Sequence, residues 1–181
     1  MTPRRRLMFS ASGAALLLST VLSAPALALP DYLPFTLSGW SNPLVVQVTA
    51  GAAPGFAVDS PALTGGTSSY FSAAIANTGA SAGLAVSTAV VQVDGSTYQV
   101  FSVPALSTGT AAVGMNLPVI VEGGLHTVSV IADATGLLSE SNEGNNTHAR
   151  QLSFTPVALP LNAQATRNAP PEPTAGTGAV S

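Results

Sequence analysis

Residues 125–133 read L-H-T-V-S-V-I-A-D and form the clearest strand pattern in the chain. Successive side chains of an extended strand point to opposite faces, so His126, Val128, Val130 and Ala132 share one face, which we expect to be the inner one. This alternation with a period of two, rather than a helical period, indicates the class of fold that the flanking sequence must match.

Similar alternating runs stand on both sides of this strand. Asp94-Gly95 separates two of them and favours a type I′ hairpin turn, in which both central residues need a positive φ. Together with residues 125–132, the strand patterns fall at 44–49, 71–75, 89–93, 97–103, 113–117 and 152–154. About seven short strands, without helical periodicity outside the N-terminal segment, predict an all-β, immunoglobulin- or fibronectin-like antiparallel β-sandwich.

His126 occupies the position at which related sandwiches place a corner tyrosine. We therefore interpret it as a packed, hydrogen-bonded core residue rather than as a catalytic or metal-binding one, because nothing near it in sequence completes a site. The chain has no G-x-S-x-G elbow, and its two histidines, His126 and His148, do not have the H-E-x-x-H spacing of a zinc site. The sequence therefore predicts no catalytic residues and a protein that is not an enzyme.

The N-terminal residues have the pattern of a secretory signal peptide. Three arginines at 4–6 precede an apolar run at 7–22, and an Ala-x-Ala site ends at Ala28. Residues 1–28 are therefore predicted to be removed, with cleavage after Ala26 as the alternative. The apolar run falls short of the roughly 20 residues of a membrane span, so no transmembrane anchor is expected after cleavage. We predict an extracytoplasmic location, reached by the Sec route in preference to the twin-arginine route.

Three further zones follow the signal peptide. Residues 29–43 are a leader, 44–160 are the predicted sandwich, and 161–181 are a tail that has little to bury and is predicted to be disordered. For the leader we prefer a strap packed on the sandwich over a ligand-binding role. It carries the one aromatic group with binding potential, which consists of Tyr32, Phe35 and Trp40.

Charge and cysteine content limit the classes of partner and site. Without its first 28 residues the chain has two arginines, no lysine and eight carboxylates, a formal net charge of −6. Such a chain has no basic patch to neutralise phosphates, so nucleic acid is excluded as a partner. The absence of cysteine excludes disulfides and thiolate metal sites.

The segment after the clearest strand, residues 133–146, reads D-A-T-G-L-L-S-E-S-N-E-G-N-N. Carboxylate and amide oxygens are the ligands that Ca²⁺ prefers, although the spacing does not match an EF-hand. One interpretation is a calcium site with the ligands Asp133, Glu140, Glu143, Asn145 and Asn146. The alternative makes the asparagines turn formers bonded to local backbone and the glutamates solvated charges, and turn chemistry explains the asparagines without an ion.

Several motifs together resemble the CARDB domain, the cell-adhesion-related domain found in bacteria. They are N-T-G at 77–79, V-D-G at 93–95, Leu106 with T-G at 108–109, G-L-H-T-V-S-V-I-A-D at 124–133 and, as the specific part, D-x6-E-S-N-E-x-N-N at 133–146. The resemblance implies an immunoglobulin- or fibronectin-like sandwich in a bacterial secreted, periplasmic or cell-surface protein. It also implies a non-enzymatic adhesion or interaction module, whose partner would be a cell-surface protein or polysaccharide. A structural envelope component, or an accessory module to a separately encoded extracellular hydrolase, is the alternative.

Overall fold

The computed structural model describes residues 27–158, which form nine strands in two sheets. The strands are β1 (Tyr32–Pro34), β2 (Leu44–Gln47), β3 (Leu63–Thr64), β4 (Thr67–Asn77), β5 (Ser87–Val93), β6 (Ser96–Val103), β7 (Ala111–Val121), β8 (Gly124–Ile131) and β9 (Thr147–Thr155). The described residues contain no helix, so the predicted all-β fold is confirmed. The tail prediction for residues 161–181, and the signal-peptide prediction for all but the last two of residues 1–28, lie outside the described residues.

The structure has two strands more than the sequence patterns indicate. The additional strands are β1 and β3, which are three and two residues long. Alternation cannot be recognised over so few residues. Each is a strand because it pairs with a longer strand: β1 pairs with β4, and β3 pairs with β9.

The long strand β4 organises the first sheet. It pairs with β7 along one edge and with β1 and β2, one after the other, along the opposite edge, all in antiparallel register. The second sheet has the order β3-β9-β8-β5-β6, in which only the contact between β3 and β9 is parallel. The core lies between the two sheets, as in other β-sandwiches.

The alternation in the sequence decides which residues fill this core. Buried and half-buried residues alternate along the whole of β5. On β8, Val128 and Val130 are fully buried, and with Ala132 just beyond the strand they belong to one apolar cluster with Phe71 of the first sheet. The inner-face prediction is therefore confirmed for these three residues, whereas His126, near the start of β8, is only half-buried.

The predicted hairpin turn joins β5 to β6. Val93 pairs with Ser96, and the two residues between them, Asp94 and Gly95, have φ angles of 49° and 80°. Positive φ at both positions is the requirement of a type I′ turn, so the Asp-Gly prediction is confirmed.

The outer face of the first sheet is covered by the chain itself. Trp40, which is 6% exposed, packs there in a second apolar cluster with Ala52, Ala57 and Ala74. Its ring nitrogen Nε1 donates hydrogen bonds to the carbonyl oxygens of residues 53 and 54, at 3.3 and 3.2 Å. A large side chain that is buried and hydrogen-bonded in this way is part of the fold rather than a free binding surface.

The predicted leader, residues 29–43, is an integral part of the sandwich rather than a segment that precedes it. Tyr32 of β1 is fully buried in the main core. Its hydroxyl accepts a hydrogen bond from the backbone N–H of Leu106 at 2.6 Å and donates to the carbonyl of Pro104 at 3.4 Å. Of the three leader aromatics, only Phe35 is substantially exposed.

Candidate functional site

Residues 132–146 join β8 to β9 and form the closing loop of the sandwich. It starts as a continuation of the ladder, because Ala132 donates its N–H to the carbonyl of Asn146 at 2.7 Å. Asp133 then adopts a positive φ of 37° and Gly136 one of 61°, and the N–H of Gly136 bonds to the carbonyl of Asp133 at 2.8 Å. This turn directs the chain out of the sheet and keeps the Asp133 side chain buried.

Asp133 has one carboxylate oxygen in use and one without a partner. The side chain is only 4% exposed, and its Oδ2 accepts a hydrogen bond from the N–H of Leu138 at 2.8 Å. Its Oδ1 is buried and makes no hydrogen bond to any described residue. An unpartnered oxygen of a buried carboxylate is costly, because it has lost its hydration without replacement.

Glu140 links the closing loop to β1. It is 7% exposed, its Oε1 accepts the N–H of Tyr32 at 2.8 Å, and its Oε2 accepts the side-chain N–H of Asn146 at 2.7 Å. Burial raises the pKa of Glu140 above its ordinary value of 4.5, the neighbouring carboxylates of Glu143 and Asp133 add to this, and the two hydrogen bonds oppose it only in part. The solvated-charge interpretation therefore fails for Glu140.

The asparagines of the loop divide into two kinds. Asn142 is a turn former, since its Oδ1 accepts the N–H of Gly144 at 3.1 Å. Asn145 instead donates its side-chain N–H to both carboxylate oxygens of Asp31, at 3.1 and 3.3 Å, and Asn146 donates to Glu140. The Oδ1 atoms of Asn145 and Asn146 are buried and have no partner in the described chain.

Glu143 is exposed and lies at the edge of this group, where its Oε1 accepts the N–H of Glu140 at 2.9 Å. The contacts thus connect four of the five residues that the calcium interpretation named, whereas the fifth, Asn145, bonds to Asp31 instead. They do so through hydrogen bonds within the loop and through the like-charge effects on Glu140.

Asp31 is a member of this group that sequence reasoning missed. Its backbone N–H bonds to the side-chain Oδ1 of Asn77 at 3.0 Å, and its carboxylate accepts the hydroxyl of Thr78 at 3.0 Å. The N-T-G motif at 77–79 therefore holds β1 in place. No local signal marks Asp31, because its contact with Asn145 spans 114 residues of sequence.

The closing loop contains the carboxylates of Asp133, Glu140 and Glu143 and contacts that of Asp31, and no lysine or arginine of the described residues is paired with them. Arg150 is the one lysine or arginine of residues 27–158, and it is paired with Asp59. In those residues, no three side chains of His, Cys, Asp or Glu are placed to hold a metal ion by themselves. Three of the four buried, unpartnered carboxylate and amide oxygens in the described chain nevertheless belong to the closing loop, on Asp133, Asn145 and Asn146.

His126 forms a different acidic contact at the opposite end of β8. Its Nδ1 lies 2.6 Å from Oδ2 of Asp94, and its ring packs edge-on against Phe154 with centroids 5.8 Å apart. The other oxygen of Asp94 accepts the N–H of Thr127 at 2.8 Å. His126 is thus hydrogen-bonded and packed as expected, but at a half-exposed corner where it fastens the β5–β6 turn to β8.

An apolar cavity of about 320 Å³ adjoins the closing loop. Three segments line it: residues 28–30, the β4–β5 loop and the closing loop. None of its lining residues has an ionisable side chain; they are Ala28, Leu29, Pro30, Ser81, Ala82, Leu84, Ala85, Leu137, Leu138 and Ser139. It therefore lacks a general acid or base, and its lining offers no group that would activate the hydroxyls of Ser81 or Ser139 as nucleophiles.

Comparison with known proteins assigns the chain to a family. The family model named CARDB matches residues 53–150, which is more than half of the chain. The chain belongs to the CARDB family. CARDB domains are cell-adhesion-related, and the closing loop of this one lies within the matched residues.

Solved CARDB structures share the fold. The CARDB domain of a Pyrococcus furiosus protein, crystallised in complex with di-metal ions, is 13% identical with a TM-score of 0.52, and the match covers 74% of this chain and 100% of that one. A domain of a putative cell surface protein from Methanosarcina acetivorans is 19% identical with a TM-score of 0.50, over 70% of this chain and 92% of that one. At such identities the likeness establishes the β-sandwich alone. No curated protein matches the chain.

The described residues also contain no helix that is long and apolar enough to cross a membrane.

Proposed function

We propose that this CARDB domain is an exported, non-enzymatic interaction module whose closing loop binds Ca²⁺. The observation that carries the metal proposal is the Asp133 carboxylate, which is 4% exposed and has one oxygen without a partner among the described residues. Buried carboxylates are normally paired with a cation or fully hydrogen-bonded. This one has neither, and it shares the loop with other acidic side chains.

The available ligands fit a hard cation. Asp133, Glu140 and Glu143 would supply carboxylate oxygens, and Asn145 and Asn146 would supply the amide oxygens that now lack partners. Ca²⁺ takes six to eight such oxygens in a flexible geometry, whereas zinc and copper favour imidazole and thiolate ligands. A bound cation would also offset the mutual repulsion that contributes to the raised pKa of Glu140.

The di-metal complex of the Pyrococcus furiosus CARDB domain supports the proposal that this sandwich can hold metal ions. It identifies neither the ion nor the ligands in this chain, because the two sequences are only 13% identical. The ligand assignment here therefore depends on the buried oxygens of the closing loop.

A role as a binding module rather than an enzyme is supported by how the ionisable residues are used. His126 is bound to Asp94, and His148 makes no hydrogen bond to a hydroxyl group in the described residues. Burial and the charge of nearby Arg150 lower the pKa of His148, which favours its neutral form. Neither histidine is therefore arranged as the base of a serine nucleophile.

Calorimetry on the chelator-treated chain tests the metal proposal directly. We expect heat of binding with CaCl₂, its loss in Asp133→Asn, and its retention in Asp94→Asn, a matched change of an exposed acid at the other end of β8. Asp133→Asn keeps an acceptor for the N–H of Leu138, so the domain should still fold. Absence of calcium heat in the unmodified chain at millimolar metal would refute the site.

Export is tested separately from metal binding. We expect protein recovered from outside the cytoplasm to begin at Leu29, or at Leu27 if cleavage follows Ala26. N-terminal sequencing decides between these, and recovery of intact residues 1–28 on the exported protein would contradict cleavage. Capture of partners from an outer-surface fraction, with and without calcium, would then test whether the module is an adhesin or a structural envelope component.

A further inference from the structure

The edges of the two sheets are protected unequally. The free backbone of an edge strand can pair with another strand, so natural proteins cover edges, shorten them, or place charges and prolines on them. In the first sheet, β2 is covered because the N–H of Val46 bonds to Asp59 at 2.8 Å and its carbonyl accepts the N–H of Ser60 at 3.0 Å. β1 is covered by the closing loop through the bond from Tyr32 to Glu140.

The other two protected edges use different means. β7 contains Pro118, which has no N–H, and the carbonyl of Pro118 accepts the side-chain amide of Gln99 at 2.6 Å. Its pairing with β4 is interrupted by an irregularity opposite Phe71 and Ala73, which reduces its regularity as a template. β3 is only two residues long.

Among the described residues, β6 shares only one of these protections, an irregularity in its register with β5 between Val91 and Gln92. It runs for eight residues, S-T-Y-Q-V-F-S-V, with no charge and no proline, and it pairs with β5 alone. In the described chain, no backbone N–H or carbonyl of β6 bonds to anything beyond that ladder. Its aromatic and β-branched residues are those most favourable in a sheet.

An exposed apolar ridge leads to this edge. Val100 of β6 lies opposite Val90 of β5, and Val90 lies opposite Ile131 of β8, so three branched side chains stand side by side across three strands. Val100 is 57% exposed, and Tyr98 on the same strand is 46% exposed. A neighbouring strand added at β6 would cover Val100 and extend the ridge.

We propose that β6 is a self-association edge that pairs antiparallel with β6 of a second copy, joining the two five-stranded sheets into one. This edge is separate from the candidate metal site, which lies in the closing loop that connects β8 to β9.

The distribution of charge favours a second copy over a charged partner strand. β6 has no charge with which to attract an acidic or basic peptide, and the nearest acid is Asp94 in the turn before it. Antiparallel pairing places the two Asp94 turns at opposite ends of the new ladder, roughly 27 Å apart for eight residues at about 3.4 Å each. Their repulsion is then screened, since the Debye length is about 8 Å at physiological salt.

Sedimentation of the full exported chain over the micromolar to millimolar range tests this pairing. We expect a reversible dimer in the unmodified chain. Val100→Lys places two lysines near each other across the new ladder and should weaken dimerisation by about tenfold or more. Ile120→Lys is the matched control, because Ile120 is also 57% exposed but lies on the protected strand β7, and it should dimerise like the unmodified chain.

Hydrogen exchange supplies a second measurement that does not depend on a variant. Dilution should accelerate exchange of β6 amides while leaving those of β7 unchanged. A chain that stays monomeric throughout the concentration range would overturn the proposal and leave β6 for a strand of a different protein. A dimer weakened by Ile120→Lys and not by Val100→Lys would overturn it as well.

Discussion

Asp59 and Asp133 are both acidic residues held by the fold, but the chain satisfies them differently. The oxygens of Asp59 accept hydrogen bonds from the N–H of Val46, the side chains of Ser41 and Asn42, and two guanidinium nitrogens of Arg150 at 2.5 and 2.8 Å. Asp133 accepts one bond from Leu138 and has no cation beside it. The first centre is completed by the chain itself, whereas the second lacks a counter-charge among the described residues.

The pKa shifts at the two centres have opposite directions. Burial raises the pKa of Asp59, but the hydrogen bonds from Arg150 and Val46 and the charge of Arg150 outweigh it and hold the pKa below the ordinary value of 3.8. At the closing loop, burial and neighbouring carboxylates leave the pKa of Glu140 above its ordinary 4.5. Folding thus favours the charged form of Asp59 and the neutral form of Glu140. A cation from solution would make the second centre resemble the first.

Removing Arg150 should have the largest effect on this comparison. Arg150→Ala leaves Asp59 without its counter-charge and also removes the bond to the carbonyl of Leu44 at 2.7 Å. Breaking a fully buried pair costs roughly 3–5 kcal/mol, and partial exposure of this pair reduces that to about 2–3 kcal/mol. Chemical denaturation at neutral pH measures it. A matched Asp59→Asn, Arg150→Ala double variant should recover part of the loss, and no recovery would mean that the charge on Asp59 is not what makes Arg150 important.

Calcium should stabilise the unmodified chain by a similar amount. At about a hundred times its dissociation constant, a ligand that binds only the folded state adds about 2.7 kcal/mol, equivalent to a rise of the order of 10 °C in Tm for a domain of this size. Asp133→Asn should abolish the rise, and Arg150→Ala should retain it because Arg150 belongs to the other centre. Superimposable melts with calcium and with chelator would show that the closing loop is complete without an ion.

Glu140→Gln should remove most of the like-charge repulsion in the metal-free protein. Asn146 can rotate its amide so that its unpartnered Oδ1 accepts the new side-chain N–H, so the packing is preserved. We expect a stabilisation of up to about 1 kcal/mol at neutral pH without metal, together with weaker calcium binding. Chemical denaturation in the presence of chelator measures the stability, and calorimetry with calcium measures the binding. If Glu140→Gln is less stable than the unmodified chain when no calcium is present, Glu140 acts only as a hydrogen-bond acceptor in the fold.

The pH dependence should separate the two centres as well. A raised pKa means that the stability contributed by protonated Glu140 is fully present below 4.5 and is lost as the pH rises through its folded-state pKa. The lowered pKa of Asp59 means that its contribution is present above 3.8 and is lost as the pH falls through its folded-state pKa. In chelator, the difference in stability between the unmodified chain and Glu140→Gln should therefore shrink as the pH approaches 4.5. A difference that does not change with pH would contradict this.

Asn142→Ala should have the smallest effect. It removes the bond to the N–H of Gly144, an exposed turn contact worth about 0.5–1 kcal/mol. Calcium binding should be unchanged, because Asn142 contributes no unpartnered oxygen. Loss of calcium heat in this variant would extend the metal site to Asn142 and remove the distinction between the two kinds of asparagine.

The sequence determined the strands that are long enough to show a period. Alternation over the seven residues of β5 predicts which side chains are buried, because an extended backbone sends successive side chains to opposite faces whatever its neighbours are. On β8 it predicts the buried Val128 and Val130 but not Ser129, which is buried between them. Asp94-Gly95 likewise predicts its own turn, since the required φ angles depend on those two residues. The closing loop was likewise recognisable as a cluster of carboxylate and amide side chains, because residue identity alone shows it.

Only the tertiary structure decided what these oxygens meet. Tyr32 reaches Glu140 across 108 residues, and Asp31 reaches Asn145 across 114, so no pattern in the closing loop could show that β1 would satisfy some of its groups and not others. The same holds for β1 and β3, which are strands because β4 and β9 pair with them, and for the position of β6 at the edge of its sheet. A hydrogen bond between distant segments depends on where the whole fold places two backbones, and local sequence periodicity contains no information about that placement.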